Sequence, residues 1–239
     1  MKPFLAQLRA EVAMTMTRGE SLLLTIGIPV GLLLFFSLVD VLPTDTDEPV
    51  TFLAPGVLAM AVLSTAFTGL AIATGFERSY LVLKRLGTTP LGRSRLIAAK
   101  IAGVLLVIAI QALVITLASL ALGWSPDAGV GAALPAVALA TIAFASLGLL
   151  MAGTLRAEIT LAVANAGFIL LMLVSGMVFP VSKLPGAMRS VVELLPSEAL
   201  ASVLHAAARG GAADAKAWIV LVAWAGVSPV LAARLFRWE

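Results

Sequence analysis

Seven charged side chains stand between Phe76 and Lys100, in FERSYLVLKRLGTTPLGRSRLIAAK: Glu77, Arg78, Lys84, Arg85, Arg93, Arg95 and Lys100. Such groups suit ion pairs, lipid headgroups or a protein surface rather than bond-breaking chemistry. The other residues with catalytic potential, Asp40, Glu158 and His205, are far apart in the chain and, on the spans assigned below, fall on both sides of a bilayer. No GxxxxGK[ST] loop, HExxH pair or GxSxG elbow occurs. With no cysteine there is no disulfide, thiol or Cys-metal chemistry, and the lone His205 builds no histidine cluster. Any uphill work must therefore draw its energy from another polypeptide.

The elements that hold these charges are apolar. Of 239 residues, 61% are hydrophobic and 12% charged, against about 25% charged in a soluble domain. Mean hydropathy is +1.07, which makes the bilayer the natural solvent. The cations cluster beside apolar runs, a pattern of membrane orientation rather than of a nucleic-acid surface. Lys2, Arg9, Glu11, Arg18 and Glu20 interrupt the first residues, so no cleavable signal is expected.

The patterning predicts an all-α membrane protein forming a single transmembrane domain over 1–239. Residues 1–20 read as an amphipathic interfacial helix, with Phe4, Leu5, Leu8, Val12 and Met16 at helical spacing and Gln7, Arg9, Glu11 and Arg18 elsewhere on the wheel. Six spans follow at 22–42, 52–76, 97–122, 134–155, 159–179 and 218–235, each long enough for a hydrocarbon core of about 30 Å or close to it. Pro29 should loosen the first. Asp40 falls at its outer end as an interfacial residue, before an acidic turn from Pro43 to Pro49.

FLAPG should open the second span, with Pro55 in its first turn, and Ser64, Thr65, Thr68, Gly69, Thr74 and Gly75 favour close helix packing. Gln111 should face another helix, and Trp124 should sit at interface depth. Only Arg156, Ala157 and Glu158 separate spans four and five, which reads as an antiparallel pair. Residues 180–216 are broken by Pro180, Pro185, Gly186 and Pro196, too interrupted to cross and too apolar to be free. Short re-entrant helices fit, one carrying Leu184, Met188, Val192 and Leu195, the next capped by Ser197, with His205 in a loop.

Six spans put both termini on one side. That side holds Lys2, Arg9, Arg18, Arg78, Lys84, Arg85, Arg93, Arg95, Lys100, Arg156, Arg234 and Arg237, twelve of the sixteen cations, and is the cytoplasmic one. On residue types alone the charged segment 77–96 has two readings. It is a short amphipathic helix for a soluble partner, or it fixes topology and binds anionic headgroups.

FLAPG at Phe52 to Gly56, ER…LKRLGTTPL at Glu77 to Leu91, SGMVFPVSKLP at Ser175 to Pro185 and ELLP at Glu193 to Pro196 follow in an order that resembles ABC-2 type transporter permeases, similar to membrane subunits of bacterial drug-resistance exporters. The resemblance implies an exporter permease in the bacterial plasma membrane for an apolar or amphipathic drug, antibiotic or lipid. It implies pairing with a second permease, identical or not, and docking on separate cytoplasmic ABC ATPase subunits that bind ATP and Mg. No cofactor is expected on this chain, and no nucleic acid as partner. By position, Glu77, Arg78, Lys84, Arg85, Leu86 and Pro90 would couple to the ATPase through segment 77–96. Phe179, Pro180, Leu184, Pro185, Leu195 and Pro196 would form an exit gate. Apolar and hydroxyl faces of spans one, two and five would line the path. The alternative is an ATP-independent membrane protein, such as a small channel or a lipid-modifying enzyme.

Overall fold

The computed structural model describes residues 2–17, 19–39, 49–89, 91–125, 131–177, 181 and 185–237. Asp40, the acidic turn up to Glu48, Pro90, Phe179, Pro180 and Leu184 lie outside the described residues, as do the sequence expectations placed on them. The described part is all-helical, as the composition requires: α1 (Lys2–Thr17), α2 (Gly19–Leu38), α3 (Pro49–Val62), a π-helical segment (Leu63–Gly69), α4 (Leu70–Ser79), α5 (Val82–Gly87), α6 (Arg93–Ala121), α7 (Ala133–Thr154), α8 (Ala157–Val174), α9 (Gly186–Val192), α10 (Pro196–Ala208) and α11 (Ala215–Leu235).

Among the described residues, five stretches are long and apolar enough to cross a membrane: Val50–Ser79, Arg93–Ala121, Ala133–Thr154, Ala157–Val174 and Ala215–Leu235. In α2, which runs 20 residues through Pro29, the described apolar part is Thr25–Leu38. α9 and α10 meet at 89°, so they pass the same test only as one broken span. A sharp bend of this kind is what a re-entrant insertion requires, because backbone at membrane depth must be sheltered by protein.

α7 is the central helix and packs on α11, α4, the π segment, α10 and α6. Lipid offers no hydrophobic gain for helix association, so close van der Waals approach must supply it. Ala136, Ala140, Ala143, Ala145 and Ala152 are accordingly buried along α7. At Gly148 a Cβ would lie 2.7 Å from the Phe67 carbonyl oxygen, so the π segment and α7 touch backbone to backbone. Thr141 and Ser146 return their hydroxyls to the carbonyls of Val137 and Ile142, which lets polar side chains sit inside α7.

Four expectations change. FLAPG does not open the second span; the helix starts at Pro49, the position where proline fits, and Pro55 is buried inside it. α8 packs on α4 and the π segment more than on its chain neighbour α7. The cause is local: Gly75 leaves room for Thr160 and Ala157, and the Thr68 hydroxyl donates to the Ala164 carbonyl at 3.4 Å. Ser197 does not cap α10; Leu195 takes that place, Pro196 is first in the helix, and the buried Ser197 hydroxyl has no hydrogen-bond partner among the described residues. His205 is not in a loop. It is buried in α10, with its Nδ1 2.9 Å from the Ala201 carbonyl and its ring edge-on to Phe52.

Candidate functional site

The charged segment does not sit wholly in water. Lys100, the eighth residue of α6, is buried, and its Nζ lies 2.9 Å from Glu11 on α1 and 2.7 Å from Glu77 on α4. Gln7 Nε2 donates to the same Glu11 carboxylate at 2.7 Å. Leu96, Lys100, Gly103, Val107 and Gln111 form the buried stripe of α6, so Lys100 occupies a core-facing position. An unpaired ammonium there would be strongly disfavoured; two carboxylates make it tolerable.

α1 lays a mixed stripe against the bundle: Gln7 is buried, Phe4, Leu8, Glu11 and Val12 are partly buried beside it, and Gly103 admits the Glu11 side chain where a Cβ would come within 3.2 Å. Leu5, Arg9 and Met14 remain exposed, so the outer face of α1 carries both apolar and charged groups.

Arg78 also points inward. Its Nη1 donates to the carbonyls of Ala152 at 3.1 Å and Leu155 at 3.0 Å, satisfying acceptors that the end of α7 leaves open. The Arg237 amide donates to the Gly153 carbonyl at 3.1 Å, and Phe236 is buried against Gly153. The ends of α4, α7 and α11 thus meet at one end of the bundle.

Beyond Ser79 the chain turns sharply. Leu81 has φ 61°, a left-handed conformation that costs a leucine roughly 1–3 kcal/mol. The fully buried Leu83 and the half-buried Leu86 hold α5 to the core, while Tyr80, Leu81, Val82, Lys84 and Arg85 are exposed. Thr88 and Thr89 donate their hydroxyls to the carbonyls of Arg85 and Leu86 at 2.8 and 2.6 Å. The Gly-Thr-Thr sequence thereby ends α5 and fixes a short basic helix in a set orientation. Of the coupling residues expected from sequence, Lys84 and Arg85 present charge outward, Leu86 anchors, and Glu77 and Arg78 are engaged inside the protein.

In the insertion between α8 and α11, Pro185 is exposed before α9, Leu195 is half-buried at the bend and Pro196 is buried. Glu193, at the bend, accepts from Arg189 at 2.8 Å and from Lys216 at the start of α11 at 2.6 Å. Those two donors, Lys216 first, hold its carboxyl below the usual glutamate range. Trp224 of α11 donates to the Leu194 carbonyl at 2.9 Å. The bend is therefore fastened to α11.

A cleft of about 300 Å³ opens between α1, α2, the π segment with α4, and α6. Thr15, Thr25, Ser64, Thr65 and Thr68 line it together with the Lys100 cluster. Thr65 donates to Gln111 at 3.1 Å, and Gln111 donates to the Thr25 carbonyl at 2.7 Å, so Gln111 does face other helices. Ser64, Thr65 and Thr68 of the π segment border this space, with the Thr68 hydroxyl donating to Ala164 of α8; π insertions concentrate at functional sites.

The sequence model of ABC-2 type transporters matches residues 4–207. The chain belongs to the ABC-2 type transporter family. The match covers α1 through most of α10, the region that holds the ion cluster, the basic helix and the bent pair. Comparison with curated protein sequences returns no match. Family membership makes this a multi-pass membrane permease domain, a transport domain without an ATPase of its own, and implies association with ABC ATPase subunits.

Sequence reasoning missed the Lys100 cluster and the cleft. A signal was present: Lys100 and Gln111 occupy the same helical stripe as Leu96 and Val107, where a polar residue needs a buried partner.

Proposed function

We propose that the chain is the permease subunit of an ATP-driven exporter in the bacterial plasma membrane, with both termini cytoplasmic. Its cargo is an apolar or amphipathic molecule such as a drug, antibiotic or lipid. ATP and Mg belong to separate ABC ATPase subunits, and a second permease, identical or different, completes the path. In this reading the ATPase docks on α5 and α1, and the residues around α9 and α10 gate the outer exit.

The observation that carries the reading is the pairing of an exposed basic tip with a buried anchor. Lys84 and Arg85 face outward on a helix held by the fully buried Leu83, directly after Glu77 and Arg78, which grip α6 and α7. A push on α5 therefore reaches two membrane helices through side-chain contacts rather than through a slack loop. The outward cations and the apolar Tyr80 to Val82 suit a groove on a soluble domain.

The test is co-purification with a candidate ABC ATPase subunit, followed by reconstitution. Lys84→Glu with Arg85→Glu should loosen the complex or abolish ATP-driven transport while the chain still folds. Full binding and transport by that double variant would overturn the docking role. Transport that persists without any ATPase would favour an ATP-independent channel.

A further inference from the structure

Among the described residues that line it, the cleft between α1, α2, the π segment and α6 carries an unbalanced charge. Glu11 and Glu77 supply two carboxylates, and Lys100 supplies one ammonium. The carboxylate side chains are 14% and 24% exposed, whereas that of Lys100 is 1% exposed. The opening therefore presents the anions, not the cation. Glu11 Oε1 takes both Gln7 and Lys100, and Glu77 Oε2 takes Lys100. The second oxygen of each carboxylate has no partner among the described residues.

A net negative charge in a partly dehydrated cleft favours a cation that brings its own donors. Ammonium groups offer such charge-assisted hydrogen bonds. Among the described residues the lining contains no aromatic ring to supply the cation–π contacts on which quaternary ammonium recognition rests. Ser64 adds a hydroxyl side chain to the lining, and Leu70, Val104 and Val107 supply an apolar wall. The volume lies at the low end for ligand sites, about 300–1,000 Å³, enough for a head group and the first part of a chain.

We propose that this cleft binds the protonated primary or secondary amine of an amphiphile, with Glu11 and Glu77 as acceptors and the chain lying against Leu70, Val104 and Val107. As a substrate class for transport, this rests on the permease reading. The amine comes from a free amphiphile or from an aminophospholipid head group, which present the same chemistry.

The purified full-length chain, in phosphatidylcholine nanodiscs without any ATPase, is titrated with monodansylcadaverine and with its neutral N-acetyl derivative. The amine should bind saturably and the acetylated probe about tenfold or more weakly, the scale of a lost charged hydrogen bond. Glu77→Gln neutralises the cluster and should weaken the amine by a similar factor while leaving the acetylated probe unchanged. Glu11→Gln with Lys100→Gln keeps one carboxylate and the same net charge, so amine selectivity should persist. Thermal melting accompanies each variant, and the double variant tests the charge rule if Glu77→Gln does not fold. Equal affinity for the two probes, or amine selectivity lost in the charge-conserving double variant, would overturn the site. Adding phosphatidylethanolamine to the discs separates the sources. Displacement of the probe identifies the lipid head group as occupant, retention identifies the free amphiphile, and both outcomes support an amine site. Failure of ATP-driven transport in the full complex would strike the exporter reading and leave this binding result standing.

Discussion

Lys100 Nζ lies 2.7 Å from the Glu77 carboxylate, joining the first turns of α6 to the last turn of α4. The pair sits immediately before the turn that leads into α5. Its removal is expected to act unequally from the two sides. Lys100→Met strands Glu11 and Glu77 together and should lower stability by about 3–5 kcal/mol, the usual result of breaking a buried pair. Glu77→Gln leaves Lys100 with Glu11 and should cost clearly less. Thermal unfolding of the two variants in one detergent checks the order; equal losses would contradict it.

Arg78 bridges the Ala152 and Leu155 carbonyls through the two hydrogens of one terminal nitrogen, Nη1, a contact that the shorter lysine side chain reaches less well. Arg78→Ala should destabilise by about 1–3 kcal/mol, the range for hydrogen bonds to a charged donor and an exposed acceptor left open. Arg78→Lys should recover only part of that. Amide exchange at the end of α7 is the direct readout, and it should rise in both variants.

Gly153 has no room for a side chain: a Cβ would lie 2.4 Å from the Phe236 ring. Gly153→Ala should displace the segment after α11 and cost about 1–3 kcal/mol as overpacking. Adding Phe236→Ala should make the glycine substitution nearly silent, although that change has its own cavity cost. A double-mutant cycle on melting free energies measures this coupling.

Glu193 holds the bend between α9 and α10 to Lys216. Because its folded carboxyl titrates below the ordinary range, the contact contributes fully above that range and is lost as pH falls through the lowered value. Spin labels at Ser190 and Ala215 should keep one narrow distance distribution at neutral pH and broaden only under acid conditions. Glu193→Gln should show the broad distribution at every pH.

Much of the architecture was legible because lipid imposes strong rules on sequence. Apolar runs bounded by charge marked the helices, and Pro185, Gly186 and Pro196 marked a break that became the 89° bend between α9 and α10. The hydroxyl and small residues of the second span favour close packing, and Thr68 and Gly75 do bring helices together. Helix edges were less certain. Pro55 suggested a start that Pro49 takes, since proline is admissible both in a first turn and at a buried kink in a membrane helix.

Residue types by themselves determined that this chain is an all-helical membrane protein with its cations gathered around one segment. They could not determine which of those cations faces water. Hydropathy reports the average environment of a segment, whereas the fate of one charge depends on what stands opposite. Lys100 is buried because α1 and α4, distant in the chain, each place a carboxylate against it. Lys84 and Arg85 face outward because Leu83, on the other side of the same short helix, fills the core. Only tertiary packing separates the ionic clasp and its cleft from the exposed basic tip.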